Sequence, residues 1–156
     1  RESLKIIRHH RLLETFLLQV LGYSWEEVHD EAERLEHYIS ERLEDRIANY
    51  LGNPAYDPHG APIPTKEGHL PQDRCISLDR VREGQKVRVS RVEDEDREKL
   101  RYLQSLGLMP DTELTIMQIA PFDGPIYIWV GSKENGNRQA IGMSLAESIM
   151  VEILES

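Results

Sequence analysis

The hydrophobic pattern of this chain changes period once, and a run of prolines marks the change. From Ser3 to Leu21, Leu4, Ile6, Ile7, Leu12, Leu13, Phe16, Leu17, Val20 and Leu21 recur at helical spacing. From Ile76 onward the period is two, in Lys86 to Arg91 (KVRVSR) and in Glu113 to Ile119 (ELTIMQI). Between them, Asn53 to Arg74 carries Pro54, Pro58, Pro62, Pro64 and Pro71 with Gly60 and Gly68. That composition predicts an extended linker. The expected organisation is a helical domain over residues 1–52, a Pro-rich linker over 53–74 and a β domain over 75–156.

Local signals refine each half. Gly22 ends the first helix. Ser24 with Glu27 forms a capping box opening a second, whose apolar stripe is Val28, Ala32, Leu35 and Ile39. Ser40 caps a third, running through Leu43, Ile47 and Leu51 to Gly52. Downstream, Ile126 to Val130 (IYIWV) is a compact apolar run, Gln139 to Met143 pairs beside it, and Val151 to Leu154 closes the series. A helix over about Asp94 to Leu106 interrupts these runs. About five short strands in roughly 80 residues fit a small antiparallel barrel. The class is α+β.

Charge and cysteine usage narrow the function. The formal net charge of −9 argues against a surface that grips DNA, which needs clustered Lys and Arg. Cys75 is the single cysteine, so no internal disulfide forms, and a reducing cytoplasm is expected. No stretch of apolar residues is long enough for a membrane span. The chain opens at Arg1 directly in a helical pattern, without Met, as expected of a fragment of a longer protein.

The chemistry concentrates in VHDEAERLEHY, Val28 to Tyr38. At about 100° per residue, His29, Glu33, Glu36 and His37 leave an ideal helix within about a third of its circumference. Two imidazoles and two carboxylates on one face form a ligand set for a divalent cation. The same residues also fit a solvated polar face with an ordinary Glu33–His37 pair. The first helix adds His10 and Glu14, four apart among Ile6, Ile7, Leu17 and Leu21. A carboxylate and an imidazole in apolar surroundings need a partner, which is either a cation or each other. Imidazole and carboxylate without thiolate suit Mn²⁺, Fe²⁺, Co²⁺, Ni²⁺ or Zn²⁺. Glu26 and His29 make one ExxH pair, where a di-iron bundle needs two. There is no HExxH pattern or phosphate loop. His9, His59 and His69 read as surface or linker residues.

The segment RHHRLLETFLLQVLGYSWEEVHDEAERLEHYISERLEDRI, followed by DPHGAPIP, resembles the diphtheria-toxin-repressor family of metal-dependent transcriptional regulators. LGLMPDTELTI, Leu106 to Ile116, resembles that family's C-terminal SH3-like, or FeoA-like, barrel. The resemblance implies a cytoplasmic homodimer with no membrane association. It implies that operator DNA is bound only through an N-terminal winged-helix domain, which this chain is expected to lack. His10, Glu14 and His29 match helical ligands of the family's ancillary metal site. Glu33, Glu36 and His37 match the primary site, whose remaining ligand lies on the DNA-binding domain. Glu33 stands where iron-responsive members carry Cys, so the resemblance favours Mn²⁺, with Fe²⁺ second. Asp96 and Lys99 stand where iron-type members supply ancillary ligands from the barrel; a protonated Lys cannot ligate, which leaves Asp96 as the barrel candidate, or Glu95 or Glu98 if the register slips. The implied function is the metal-sensing and dimerisation portion of a repressor controlling metal-ion homeostasis, not an enzyme. The alternatives are a dimerisation or adaptor module with vestigial metal sites, and a metal-dependent hydrolase or metal-storage protein.

Overall fold

The computed structural model describes the backbone of residues 2–156 and side chains from Leu4 onward; Arg1 lies outside the described residues. The chain divides into two compact units, one of residues 1–72 with 95–100, the other of 73–94 with 101–156.

The first unit holds three helices: α1 (Glu2–Gln19), α2 (Val28–Leu35) and α3 (Glu41–Tyr50). Ser40 Oγ accepts the Leu43 N–H and starts α3 as expected. The capping box before α2 forms only in part. Glu27 Oε1 accepts the Ser24 N–H at 3.1 Å, whereas Ser24 Oγ is buried without a hydrogen bond, and regular helix begins at Val28. α2 also ends earlier than its apolar stripe suggested. Glu36 is its C-cap, and the Tyr38 N–H turns back to the Leu35 carbonyl. His37 therefore lies in a turn beyond the helix.

The core of this unit is Leu12, Leu13, Leu17, Val28, Ala32, Ile47, Ala48 and Ile63. Ile63 comes from the Pro-rich stretch, which corrects its reading as a free linker. Residues 53–72 belong to the helical unit. The Arg8 and Arg11 guanidiniums donate to the Pro64 and Pro62 carbonyls, and the Trp25 indole N–H donates to the Pro58 carbonyl at 2.7 Å. Prolines have no N–H to donate, but their carbonyls remain acceptors. Here they anchor the stretch to α1 and to Trp25.

The second unit is a six-stranded antiparallel sheet among the described residues, in the order β1-β6-β2-β3-β4-β5. Its strands are β1 (Ile76–Ser77), β2 (Lys86–Val92), β3 (Glu113–Ile119), β4 (Ile126–Val130), β5 (Asn137–Ile141) and β6 (Ile149–Glu155). β1, a 3₁₀ turn at Leu78–Arg80 and the short α5 (Met143–Ala146) are additions to the expected set. α4 (Arg97–Ser105) is the expected interrupting helix. Alternation buries Val87, Val89, Leu114, Ile116, Ile126, Ile128, Ile141, Ile149 and Val151 on one side of the sheet. The α+β class and the FeoA-like barrel stand. No described helix is long and apolar enough to cross a membrane.

Candidate metal centre

α1 buries a carboxylate. Glu14 follows Leu12 and Leu13 on the inward face of the helix and is only 2% exposed. Three imidazoles surround it. His10, one turn earlier, places Nε2 3.1 Å from Glu14 Oε2. His29, on the first turn of α2, places Nδ1 3.5 Å from the same oxygen and 3.0 Å from His10 Nε2. The two rings meet edge to face with centroids 4.7 Å apart. His59 approaches from the Pro-rich segment, its Nδ1 3.8 Å from Glu14 Oε2.

A tight turn delivers His59. Asp57 Oδ1 accepts the N–H groups of His59 and Ala61, each at 2.9 Å, an Asx turn. Gly60 closes it at φ +89°, a left-handed conformation that glycine adopts without steric cost. The ring lies tilted at 49° against Trp25, centroids 4.8 Å apart. Its Nε2 stands 2.8 Å from the Trp25 carbonyl. A carbonyl only accepts, so Nε2 carries the proton and Nδ1 is left for the cluster.

The interior electrostatics are those of a site that holds protons where it could hold an ion. Burial would raise the Glu14 carboxyl, yet hydrogen bonding to the three histidines and Asp57 holds it well below the usual carboxylate range. Burial pulls the His10 imidazole down, and the Glu14 and Glu36 carboxylates overcome this, lifting it to about 9. His29 is raised, chiefly by its bond to Glu14. For His59 the attraction of Glu14 and Asp57 outweighs burial and the value rises. Asp57 is pushed up to about 7 by burial and by the neighbouring Glu14 carboxylate.

Two donor sets share Glu14: His10, Glu14 and His29, and Glu14, Asp57 and His59, each with ligand atoms within 4.8 Å of one another. Ligand atoms about 2.1 Å from one ion lie up to about 4.2 Å apart across it, so small side-chain adjustments would close either set. The residues fit a divalent metal bound by nitrogen and oxygen.

The remaining expected ligands are distributed differently. Glu36 Oε1 lies 2.6 Å from His10 Nδ1, so His10 stands between Glu14 and Glu36. His37 Nε2 lies 3.4 Å from Glu36 Oε2 with a mostly exposed ring. Glu33 is exposed and groups with His29 and Asp30. Among the described residues, Glu33, Glu36 and His37 do not close into a cluster, because α2 ends before Glu36. Asp96 Oδ1 accepts the Glu98 and Lys99 N–H groups and caps α4. The neighbouring Glu95 instead places Oε1 3.4 Å from His29 Nε2.

Sequence reasoning missed Asp57 and His59. His59, read as surface or linker, is 6% exposed. His9, read the same way, is also largely covered, between Glu44 and the Glu36 carbonyl. The available signal was Asp-Pro-His-Gly itself, a turn built to present one side chain.

A buried nitrogen-and-oxygen donor cluster on short helices, with a small antiparallel sheet unit after it in the chain, defines a candidate metal-binding protein of two units. Residues 1–65 match the family model for the iron dependent repressor, metal binding and dimerisation domain, and residues 76–153 match the FeoA domain. The chain belongs to the diphtheria-toxin-repressor family of metal-dependent regulators. It is 43% identical to a manganese-dependent transcriptional repressor solved in complex with manganese, with a TM-score of 0.93, covering 97% of this chain and 71% of that one. The solved structure described as T. acidophilum IdeR is 28% identical with a TM-score of 0.86, over 98% of this chain and 68% of the other. The iron-dependent repressor IdeR of Mycobacterium leprae is 32% identical over 146 residues, 85% of this chain. The chain spans 62% of the length of that relative.

Proposed function

We propose that this chain is the metal-sensing and dimerising portion of a metal-dependent DNA-binding transcriptional repressor, with Mn²⁺ as its ion and Fe²⁺ second. The observation that carries the reading is Glu14, a buried carboxylate ringed by His10, His29, His59 and Asp57. Oxygen and nitrogen donors without a thiolate favour harder divalent ions. The relatives named for manganese and iron point the same way.

Glu14, His29, Asp57 and His59, with Glu95 beside His29, form one ligand set in this reading. Glu36, His37 and Glu33 contribute to a second, with His10 between the two. When bound, the metal supplies positive charge that replaces the protons of the cluster. The chain's own residues then tie α1 to α2 and to the 57–60 turn. In a homodimer this rigidity would fix the spacing of two DNA-reading heads on operator half-sites. Leu12, Leu13 and Trp25 lie in the interior, which favours Val20, Leu21, Leu43 and Tyr50, all exposed, as apolar dimer-contact residues. The protein acts in the cytoplasm and performs no catalysis.

Calorimetric titration of Mn²⁺, Fe²⁺ and Zn²⁺, with Glu14→Ala and His29→Ala alongside, tests this. Saturable heat lost in both variants is expected. Heat unchanged in both would sink the assignment, and no heat from the unaltered chain would favour a dimerisation or adaptor module with vestigial sites.

A further inference from the structure

His9 has no place among the ligands, yet both of its ring nitrogens are engaged. Nδ1 donates to the Glu36 carbonyl at 3.0 Å. Nε2 lies 2.6 Å from Glu44 Oε1. Glu44 is 4% exposed on the inner face of α3, and its other oxygen accepts the Arg8 Nε–H at 2.5 Å. Arg8 in turn donates to the Pro64 carbonyl at 2.9 Å. A buried carboxylate thus joins two consecutive basic residues of α1, and through them the end of α2 and the Pro-rich segment.

The Glu36 carbonyl belongs to the C-cap of α2, where helix carbonyls lack partners within the helix. His9 supplies the missing donor. The turn it holds is the one carrying the Glu36 and His37 side chains, and Glu36 Oε1 reaches His10 Nδ1, on the residue next to His9. Adjacent residues of α1 therefore grip Glu36 at two points, His9 at the backbone and His10 at the carboxylate. Within α2 the turn is tied only through its N–H groups, Glu36 to the Ala32 carbonyl and Tyr38 to the Leu35 carbonyl, so the Glu36 carbonyl depends on His9 for its donor.

We propose that His9, braced by Glu44 and Arg8, is a positioning residue that sets the aim of Glu36 and His37 as metal ligands. This rests on reading those two residues as ligands. Removing such an outer partner typically weakens metal binding by about 10–100-fold.

The test uses the full chain and Mn²⁺ alone, with each ligand set silenced in turn. Glu14→Gln leaves the Glu36 set to be titrated, and Glu36→Gln leaves the Glu14 set. Adding His9→Ala should weaken Mn²⁺ uptake by about 10–100-fold in the Glu14→Gln chain and change it less than about twofold in the Glu36→Gln chain. His9→Lys, whose ammonium can donate to both the carbonyl and Glu44, should recover most of the loss. Equal losses in both backgrounds would reveal general loosening and overturn the positioning role. So would unchanged uptake in the Glu14→Gln chain, or failure of His9→Lys to recover it. If the Glu14→Gln chain takes up no Mn²⁺, or takes it up equally after Glu36→Gln, the ligand reading fails and the positioning role with it.

Discussion

The two units spend their interiors differently. The helical unit buries Glu14, Thr15, Glu26, Glu44, Asp57 and His59 beside its apolar core. The sheet unit encloses Leu, Val and Ile, with Gln85 and Ser148 as its buried polar residues among those described. Burying a carboxylate costs several kcal/mol unless partners offset it. An apolar interior carries no such cost and reaches stability by area alone. The first interior is organised around charge and is sensitive to protons and ions. The second is organised around volume and is indifferent to both.

Four measurements would break or sharpen this contrast. Ile128→Ala removes a fully buried side chain of β4 and should cost about 2–5 kcal/mol in denaturant unfolding while leaving Mn²⁺ titration unchanged. A shift in both would mean that the interiors are not separate in function.

Glu14→Ala should weaken Mn²⁺ binding by more than about 100-fold, beyond the usual cost of losing an outer partner. The metal-free chain should lose stability too, because His10, His29 and His59 lose the carboxylate that holds their protons, while Asp57 is relieved of a like charge. An affinity within tenfold of the unaltered chain would remove Glu14 from the centre of the site.

The third contrast is in pH. His10 holds its proton up to about 9 in the folded chain, against 6.5 ordinarily. Its raised value contributes stability below about 6.5 that is lost as pH rises through about 9. Metal must displace that proton, so Mn²⁺ affinity should rise by up to about tenfold per pH unit between 7 and 9. Below about 7, protonation of Asp57 adds to the competition. Calorimetry in buffers of different ionisation heat would count the protons released. A flat affinity profile over this range would mean that the imidazole cluster does not face the ion.

The smallest effect concerns Asp96. As a helix cap it should cost about 1 kcal/mol on change to Ala, with no change in the Mn²⁺ isotherm. A weakened isotherm would restore Asp96 to the ligand set at the expense of Glu95.

Much of the architecture was legible because long regular elements leave periodic traces. Glu113–Ile119 and Ile126–Val130 appear as strands with the bounds their apolar pattern gave. What escaped was short or set by distant contacts. β1 has two residues and α5 four, too few for any period to register. The His10, Glu14 and His29 set could be anticipated because two helices carry it at helical spacing. Asp57 and His59 could not, since proline content says that a segment is extended and nothing about whether it packs. Glu95 and Asp96 are adjacent acids, and the choice between helix cap and neighbour of His29 depends on where α4 begins.

The turn that brings His59 beneath Trp25 also gives the molecule a built-in optical probe. The chain has two tryptophans. Trp25 rests against a donor ring of the cluster, whereas Trp129 lies on β4 with its indole N–H bonded to the Ser132 carbonyl. Filling of the donor set alters the surroundings of one indole directly. With Trp129 changed to Phe, the emission of Trp25 alone would report occupancy without an added label.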